Sequence, residues 1–402
     1  MGFVYRSMLM KLVLLHEPAG WGHHPFYACL LSEGFLRLGN LTCVVCANPK
    51  EVKGWLKEAI GPNCLKNVLL IKALSASSGS EGFFKDILVA ALKRKVVRWF
   101  ELKYYIISAE LHFRKKVDLI FLGMMDNFIS SKFPIHIFDF IIRRNWTGLL
   151  IFPKTKGLGL TFDLSYLSAL NRSVFFKCLF CLNENIKTKL KSLLTKPIYH
   201  FPDFSHRFSE NKIALYPKIR KLAGSRNIIG LFGVLDFRKG IMDLLDFAAS
   251  PYGKCFYFMV CGTSYDRRSK SQVDTFERKL HFLRLNNVFY RNTNIPFRHF
   301  DEYLNSVNAI WLCYKNFPFS SNVLTRASLC KKPVVCVSGA LIARRVTKFN
   351  LGAVSSGFSP IALNHAFSQA FQCKKERGYS KYSDYHSLKR FLHTFSFLSG
   401  SL

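Results

Sequence analysis

The strongest constraint on the fold is an alternation of short apolar runs with helix-length amphipathic segments, which occurs twice along the 402 residues. The runs that read as strands begin near residues 12, 42, 68, 118, 149 and 173, and again near residues 228, 256, 288, 309 and 333. Such alternation is typical of βαβ units and a parallel sheet. Between the two series, residues 206–226 are charged and lack apolar periodicity, as interdomain connections do.

The sequence therefore predicts an α/β protein with two parallel-sheet domains, residues 1–205 and 227–402, joined by a linker at 206–226. Ligands of open α/β sheets bind beyond the carboxyl ends of the strands. We therefore expect the two domains to face each other across a cleft that holds the chemistry.

The chain is strongly basic, with 58 Lys and Arg against 25 Asp and Glu, a formal net charge of +33. That charge favours anionic partners such as acidic lipid, phosphorylated substrates or nucleic acid. No nucleic-acid-reading motif accompanies it, so we expect no nucleic-acid partner. Peripheral contact with an anionic membrane and a compositional bias without specific meaning, which the 39 Phe would share, both stay open.

No run approaches the roughly 18 uninterrupted apolar residues of a membrane-spanning helix. Residues 1–15 contain Arg6 and Lys11 but no long apolar run followed by a small-residue cleavage site. They are therefore atypical of a signal peptide. We expect a cytoplasmic protein, with contact at the inner face of the membrane as an open alternative.

One segment, residues 83–105, bears on the membrane question. It carries apolar residues at near-helical spacing and many basic ones around them, which are Leu88, Leu92, Val96 and Trp99, with Lys85, Lys93, Arg94, Lys95, Arg98 and Lys103. A basic amphipathic helix of this kind can lie on an anionic leaflet. A core-facing helix with a solvated basic face is the alternative.

The cysteines do not indicate a metal site. Two CxxC pairs, Cys43/Cys46 and Cys178/Cys181, lie in apolar runs that read as buried strands. In a strand, residues three apart point to opposite faces, so neither pair could chelate one ion. No DxD-type carboxylate pair is present either, and we expect neither a metal nor a cofactor.

Two segments of the second half are candidates for binding phosphate. Arg238 and Lys239 follow the strand that begins at residue 228, where cations could neutralise a diphosphate. A solvated basic turn is the alternative. Further on, Ser320 and Ser321 precede a helix that starts around Asn322 and Val323 and would offer unpaired amides. An ordinary capped helix is the alternative there.

The order of these motifs resembles the C-terminal domain of the group-1, retaining type of GT-B glycosyltransferases, which have two Rossmann-like domains. The resemblance covers about residues 227–354 and rests on the motifs "G…RKG…LL", "CGT", "AIWLCY", "SSNVLTRASLCKKPVVCV" and "LIARRVTKFNLGAV". It implies that Arg238 and Lys239 grip the diphosphate of a nucleotide-sugar donor. It also implies that Ser321, Asn322 and Val323 hold the donor.

The chain departs from the family pattern at one place. Where the family has two glutamates eight positions apart, this sequence has Pro318 and Arg326. A related subset carries "SSGVLxRA", which Ser320–Ala327 resembles, so Ser320 and Arg326 become candidates for the sugar or ribose contact. Different donor binding and loss of activity are both compatible with this departure.

The first half offers a weaker constellation. The turn with Gly20, Gly22 and His23 resembles the "GGHxxY" turn of GT-B N-terminal domains, and glycines permit close backbone approach. His24 could donate to a phosphate or act as a base, or simply cap the turn. Asp126 follows a strand through Gly123 and is a candidate for a catalytic polar contact, or an ordinary loop acid.

Together these features predict metal-independent transfer of a sugar. The resemblance implies that a hexosyl group is transferred and that the configuration of its anomeric carbon is retained. The donor would be a nucleotide-diphosphate sugar and the acceptor a glycan or lipid-linked glycan, as in cell-surface polysaccharide or glycolipid synthesis. The alternatives are a catalytically inactive GT-B scaffold and a sugar-nucleotide epimerase built on the same double sheet.

Overall fold

The computed structural model describes residues 10–20, 22, 24–74, 87–129, 134–156, 161–264, 267–372 and 376–400. The chain divides into two compact units. The first contains the chain up to Lys154, Phe162–Phe201 and Leu388–Leu402. The second contains Thr155–Thr161 and Pro202–Ser387.

The strands up to residue 200 are β1 Leu12–Glu17, β2 Leu41–Cys46, β3 Val68–Lys72, β4 Leu119–Leu122, β5 Trp146–Leu150, β6 Thr155–Lys156, β7 Thr161–Phe162, β8 Phe176–Cys181 and β9 Ile198–His200. The later strands are β10 Asn227–Val234, β11 Phe256–Thr263, β12 Val288–Asn292, β13 Ala309–Leu312, β14 Val334–Val337 and β15 Gly352–Ser355.

The helices are α1 His24–Arg37, α2 Pro49–Ala59, α3 Ile87–Phe113, α4 Ile135–Ile142, α5 Lys187–Leu193, α6 Tyr216–Ala223, α7 Ile241–Ala249, α8 Arg267–Leu283, α9 Phe300–Asn305, α10 Asn322–Leu329, α11 Leu341–Phe349, α12 Pro360–Gln372, α13 Glu376–Tyr385 and α14 Leu388–Gly400.

Each unit contains one large sheet whose strand pairs are parallel. The first sheet has the order β3-β2-β1-β4-β5-β8-β9 and the second the order β12-β11-β10-β13-β14-β15. In both, the order reverses beside the first strand of the sheet, which creates a switch point between β1 and β4 and another between β10 and β13. The predicted α/β class with two parallel sheets is confirmed.

Apolar runs form these strands because a parallel sheet covered by helices is buried on both faces. In β10, Ile228 and Phe232 pack into one core, while Ile229 and Leu231 pack into the core on the opposite face. The two CxxC pairs lie on β2 and β8, where the cysteines are buried and form no disulfide.

The C-terminal helix α14 belongs to the first unit, whereas the sequence analysis placed residues 227–402 together. Phe391 and Phe395 are fully buried against Phe35 and Phe121, with the Phe35 and Phe395 ring centroids 4.6 Å apart. Gly34 provides room for α14, since a Cβ at Gly34 would lie 2.7 Å from a methyl carbon of Leu392. The chain thus leaves the first unit after residue 201 and re-enters it at residue 388.

Smaller differences concern element boundaries. β5 begins at Trp146, three residues before the expected start at 149, and ends at Leu150. The Trp146 ring is fully buried. The segment expected to be an irregular linker contains helix α6, whose Ile219 and Ala223 pack into the second core. Among the described helices, none combines the length and the apolarity that crossing a bilayer requires.

Candidate functional site

The first candidate site lies at the switch point of the second sheet, where β10 and β13 are neighbours. Ile229 of β10 is in register with Ala309 of β13, so both strands end at the same edge. Hydrogen bonds join the segment after β10 to β13 and to the segment that follows β13. The Lys315 amide donates to the Arg238 carbonyl at 2.7 Å, and the Trp311 indole donates to the Lys239 carbonyl at 3.1 Å.

A short turn after β10 has a fixed shape. The Asp236 carboxylate caps the turn Phe237–Lys239 and accepts from the Lys239 amide at 3.2 Å. Gly240 ends the turn at a φ of 67°, a conformation that favours glycine. A Cβ at Gly240 would lie 2.5 Å from the Cys313 carbonyl oxygen, so the close approach of the two loops also requires glycine.

Arg238 is the accessible cation of this turn. Its side chain is 41% exposed, and its guanidinium donates to the Asp236 carboxylate at 3.0 Å. The guanidinium also lies over the Phe317 ring, 4.6 Å from the centroid. Asp236 and Phe317 therefore orient the planar donor fork while leaving part of it open to an anionic ligand.

Lys239 takes a different position from the one that a direct phosphate contact requires. The residue is 6% exposed, and its Nζ donates to the Phe232 carbonyl at 2.7 Å. Burial, followed by the positive charge of Arg238, lowers the pKa of Lys239 to about 7. The structure thus brings Arg238 and Lys239 together but leaves only Arg238 at the surface.

The start of α10 is linked to this site through Tyr314, whose ring centroid lies 5.7 Å from Lys239 Nζ. Ser321 is the N-cap residue, but its side chain makes no capping hydrogen bond, and its Oγ lies 3.5 Å from the Tyr314 hydroxyl. The first-turn amides at Asn322 and Val323, both half-buried residues, are therefore not capped by that hydroxyl. Amides at a helix start carry partial positive charge and favour an anion.

A buried carboxylate holds the chain at this helix start. Asp203, 2% exposed, accepts from the Ser320 hydroxyl through one oxygen and from the side-chain nitrogen of Asn322, at 3.0 Å, through the other. Arg345, 1% exposed, donates to the Ser320 oxygen at 2.5 Å. The Asp203 amide donates to His386 Nδ1 at 2.9 Å. The Ser320 and Asn322 side chains are thus engaged within the protein.

Arg326 is likewise engaged within the protein. Its guanidinium donates to Asp301 Oδ1 from two nitrogens, at 2.9 and 2.5 Å, and to the Phe297 carbonyl at 2.9 Å. Arg326 and Asp301 are 2% and 1% exposed, and the Phe300 ring lies 4.7 Å from the guanidinium carbon. This geometry favours a structural ion pair and leaves no exposed donor for a sugar or ribose.

The second candidate site lies at the switch point of the first sheet and begins with His24, the first residue of α1. His24 Nδ1 lies 3.0 Å from Glu17 Oε1 at the end of β1, and neither side chain is exposed. Gly123 accommodates the pair, since a Cβ there would lie 2.0 Å from the second Glu17 oxygen. The imidazole is thus covered in this structure and joins β1 to α1.

The glycine turn before α1 is exposed at Gly20 and Gly22. Gly22 has a φ of 61°, and a Cβ at Gly20 would lie 3.2 Å from the Ala47 Cβ. The third predicted member of the turn, His23, lies outside the described residues.

Asp126 follows β4 and has the properties of an acid–base group. One carboxylate oxygen accepts from the amides of Ile151 and Phe152, at 3.0 and 3.2 Å, just beyond β5. The other oxygen is buried, without a hydrogen-bond partner in the part of the chain that the structure describes. Burial raises the pKa of Asp126 to about 6, although the two amides act in the opposite direction. A carboxyl with this pKa can exchange a proton near neutral pH.

Basic residues surround Asp126. Lys95 of α3 donates to the Ile129 carbonyl at 2.6 Å, and burial, with Lys154 and Arg98 nearby, lowers its pKa to about 8. Burial, followed by the charge of Arg98, lowers the pKa of His16 to about 3, so His16 is neutral. This edge of the first sheet therefore places the Asp126 carboxyl near several cations.

Sequence reasoning missed several residues of both sites. Asp236 and Arg345 stand inside motifs that the sequence analysis quoted, whereas Glu17 and Asp203 stand outside them, and none of the four received a role. A single acid or base between apolar neighbours was the available signal, as for Glu17 in LLHEPA. Lys95 carried no distinguishing signal among the basic residues of its segment.

Two successive doubly wound parallel-sheet units are the arrangement found in the GT-B class of fold. No model of a known protein family matches the chain, and no curated protein matches its sequence. Solved structures match along nearly the whole length. A glycosyltransferase from Rickettsia africae superposes with a TM-score of 0.66 at 11% identity, over 98% of each chain.

Two further structures extend this comparison. Anabaena HepE, solved in complex with UDP and glucose, has a TM-score of 0.63 and 14% identity, over 98% of this chain and 100% of HepE. The N-terminal domain of Candida albicans trehalose-6-phosphate phosphatase has a TM-score of 0.66 and 10% identity, over 100% of this chain and 98% of that domain. At these identities the likeness defines the fold, and the predicted GT-B architecture is confirmed.

Proposed function

We propose that the protein transfers a sugar from a nucleotide-diphosphate donor to a glycan or lipid-linked acceptor. The observation that carries the proposal is that the switch point of the second sheet presents two groups suited to an anion. These are the exposed Arg238 and the start of α10, which the side chain of Ser321 does not cap. Ligands of doubly wound sheets bind at such points. The UDP and glucose bound to HepE support UDP-glucose as the first donor to test.

In this proposal Arg238 pairs with the diphosphate, and the amides at Ser321, Asn322 and Val323 supply further donors. Stabilising the charge that develops on the leaving diphosphate lowers the barrier of the reaction. Lys239 does not contact the diphosphate. Its buried ammonium holds the turn in place by donating to the Phe232 carbonyl near the end of β10. Neither a metal nor a cofactor takes part.

The first sheet would supply the acceptor side of the reaction. Asp126, with its pKa of about 6, accepts a proton from the acceptor hydroxyl as that oxygen attacks the anomeric carbon. His24 and Glu17 hold the start of α1 in place and do not contact substrate. The motif resemblance implies retention, which requires the acceptor oxygen to attack from the same face that the diphosphate leaves, with Asp126 receiving the proton on that face.

The charge of the chain supports the proposed acceptor class. A net charge of +33 concentrates anionic molecules, including the phosphates of lipid-linked glycans, near the protein. We place the reaction in cell-surface polysaccharide or glycolipid synthesis, at the cytoplasmic face of a membrane.

An inactive GT-B scaffold is the second candidate. Arg326 stands where the resembling family has a glutamate, and its guanidinium is bound by Asp301. The same fold also occurs in a domain of a protein named as a phosphatase. A scaffold would leave the site at Arg238 without a nucleotide ligand.

A titration distinguishes the two candidates. The purified protein is titrated by calorimetry with UDP, GDP, ADP and TDP, beside an Arg238→Ala variant and a Lys254→Ala control on an exposed turn of the same unit. Saturable binding of one diphosphate that Arg238→Ala loses and Lys254→Ala retains supports the transferase. Absence of binding to all four diphosphates supports the scaffold.

A further inference from the structure

Helix α3 carries an exposed apolar face in addition to the face that packs in the core. Its buried face includes Trp99, Leu102 and Ile106. The apolar stripe, a second set of α3 residues, is between 46% and 75% exposed and consists of Val97, Phe100, Tyr104, Ile107 and Leu111. Spaced alternately three and four residues apart, these side chains lie along one line of the helix for about 21 Å.

The sequence analysis left open whether the side of this helix that contains Trp99 meets a membrane or the core. Trp99 is 2% exposed and donates to the Phe128 carbonyl, so its side of α3 packs in the core. The side chains of Leu88 and Leu92 lie outside the described residues. The exposed residues lie on a different side of α3, and contiguous exposed apolar surface of this kind marks an interaction site.

Helix α4 extends the exposed face. Phe140 of α4 is 67% exposed, and Arg143 stacks on its ring at 4.4 Å. Next to them, Arg144 donates to both carboxylate oxygens of Glu110, at 2.6 and 3.0 Å. This ion pair holds the C-terminal end of α4 beside the C-terminal part of α3. Phe140 therefore lies near the Leu111 end of the stripe.

A basic pocket lies at the same end. The cavity of about 210 Å³ is lined by four basic residues, Lys11, Lys116, Arg143 and Arg144, with one acidic residue, Asp118. Asp118 already accepts from the Leu12 amide at 2.7 Å. Lys116 and Arg143 are exposed, and Arg143 presents its positive charge directly beside the Phe140 ring.

Apolar and aromatic side chains bordered by cations match the surface of an anionic bilayer. The apolar side chains can enter the headgroup region while the cations bind lipid phosphate. A helix pair with a second copy would also suit the three-and-four spacing. Two chains of net charge +33 repel each other, however, whereas the same charge attracts an anionic leaflet.

We infer that the apolar stripe of α3, with Phe140 and the basic pocket, docks the protein on a membrane that contains anionic phospholipid. The inference rests on the proposed function in one respect, because docking places the enzyme where a lipid-linked acceptor resides. The lipid-binding surface belongs wholly to the first unit, so it can be tested apart from nucleotide binding at Arg238.

The test is flotation of the full chain with vesicles of phosphatidylcholine alone or with one-third phosphatidylglycerol. Wild type is expected to float with the anionic vesicles and not with the neutral ones. Phe100→Ser/Leu111→Ser should weaken binding at least about tenfold, since two apolar anchors are lost. The matched control, Phe282→Ser/Ile361→Ser, removes one exposed aromatic and one exposed aliphatic side chain from the second unit and should bind as wild type does.

The charge contribution has its own pair of variants. Lys116→Glu/Arg143→Glu should lose binding to the anionic vesicles, whereas Lys254→Glu/Arg278→Glu, with the same charge change on exposed residues of the second unit, should not. Equal loss in both would mean unspecific attraction by net charge and would overturn the inference. So would flotation of Phe100→Ser/Leu111→Ser at the wild-type level.

Sedimentation velocity examines the rival occupant. A wild-type dimer that Phe100→Ser/Leu111→Ser converts to monomer, without vesicle binding, would assign the stripe to a second copy and reject the lipid surface. Nucleotide titration of the same preparations checks that each variant is folded. If the wild-type chain binds nucleotide but no vesicles, membrane docking is refuted and the proposed sugar transfer is not. If it binds vesicles but no nucleotide, the proposed sugar transfer is refuted and membrane docking is not.

Discussion

The Nζ of Lys239 lies 2.7 Å from the carbonyl oxygen of Phe232, beneath a turn whose neighbouring residue, Arg238, is exposed. One cation of this pair is therefore open to a ligand while the other is enclosed. Burial and the charge of Arg238 together bring the pKa of Lys239 down to about 7. The protonation of Lys239 thus becomes sensitive to whatever binds Arg238.

Nucleotide affinity should fall as the pH rises from 7 to 9. A diphosphate that pairs with Arg238 offsets the positive charge that lowers the pKa of Lys239, so binding takes up a proton. We expect the dissociation constant to rise about three- to tenfold over this range, since one pKa unit corresponds to about a tenfold change. Calorimetry at several pH values measures it. In Lys239→Met the dissociation constant should stay flat, and the same slope in wild type and variant would refute the coupling.

Gly240→Ala should destabilise the second unit more than Gly339→Ala. Both glycines have positive φ, so both substitutions strain the backbone by about 1–2 kcal/mol. Only at Gly240 does the added Cβ meet a backbone atom, the Cys313 carbonyl oxygen, whereas Gly339 has open space. Thermal unfolding should therefore show a lower midpoint for Gly240→Ala. Equal midpoints would mean that the two loops can separate without cost.

Arg326→Met should lower the free energy of unfolding by about 3–5 kcal/mol, because it leaves the Asp301 carboxylate buried without its cation. The double variant Asp301→Asn/Arg326→Met should recover part of this loss. Urea unfolding followed by fluorescence measures both variants. If Arg326→Met unfolds like wild type but binds nucleotide sugar more weakly, the residue contacts the donor, as the motif resemblance implied, and the structural interpretation is wrong.

Asp126→Asn should reduce kcat/KM by about 10²- to 10⁴-fold, the usual contribution of a general base. The wild-type rate should decline below pH 6, where the carboxyl becomes protonated. The control Asp274→Asn changes an exposed carboxylate of α8 and should have no effect. An acidic limb that persists near pH 6 in the residual activity of Asp126→Asn would assign the titration to another group.

The raised pKa of Asp126 also predicts that Asp126→Asn, which lowers activity, raises the stability of the protein above pH 6. Because the folded-state pKa of Asp126 is raised, its stabilising contribution is present below pH 4 and is lost as the pH rises through about 6. Asp126→Asn should therefore gain stability relative to wild type above pH 6. Urea unfolding at pH 5 and pH 8 tests this difference.

The architecture was predictable because it depends on local apolar patterning. The strand Ala309–Leu312 begins where the sequence analysis expected it, since a run of buried apolar residues follows the polar Asn308. The position of Arg238 after a strand could be predicted for the same reason. Its exposure, and the burial of Lys239 one residue later, depend on how Gly240 shapes the turn.

Contacts between residues distant in sequence could not be predicted. Asp203 binds Ser320 and Asn322 more than a hundred residues away, and no local pattern records that pairing. Likewise Phe391 packs against Phe35, so α14 belongs to the first unit although it follows the second in sequence. A single sequence carries the apolar character of Phe391 but not the identity of its partner.

The most direct test of the central claim is transfer of labelled sugar. The donors are radiolabelled sugars of whichever nucleoside diphosphate binds, offered with a membrane extract as the source of acceptor. The account predicts label in a glycan or lipid product, with release of the diphosphate, by wild type and by the Lys254→Ala control, but not by Arg238→Ala. The account would be contradicted if wild type bound the nucleotide but released the diphosphate no faster than Arg238→Ala or buffer alone.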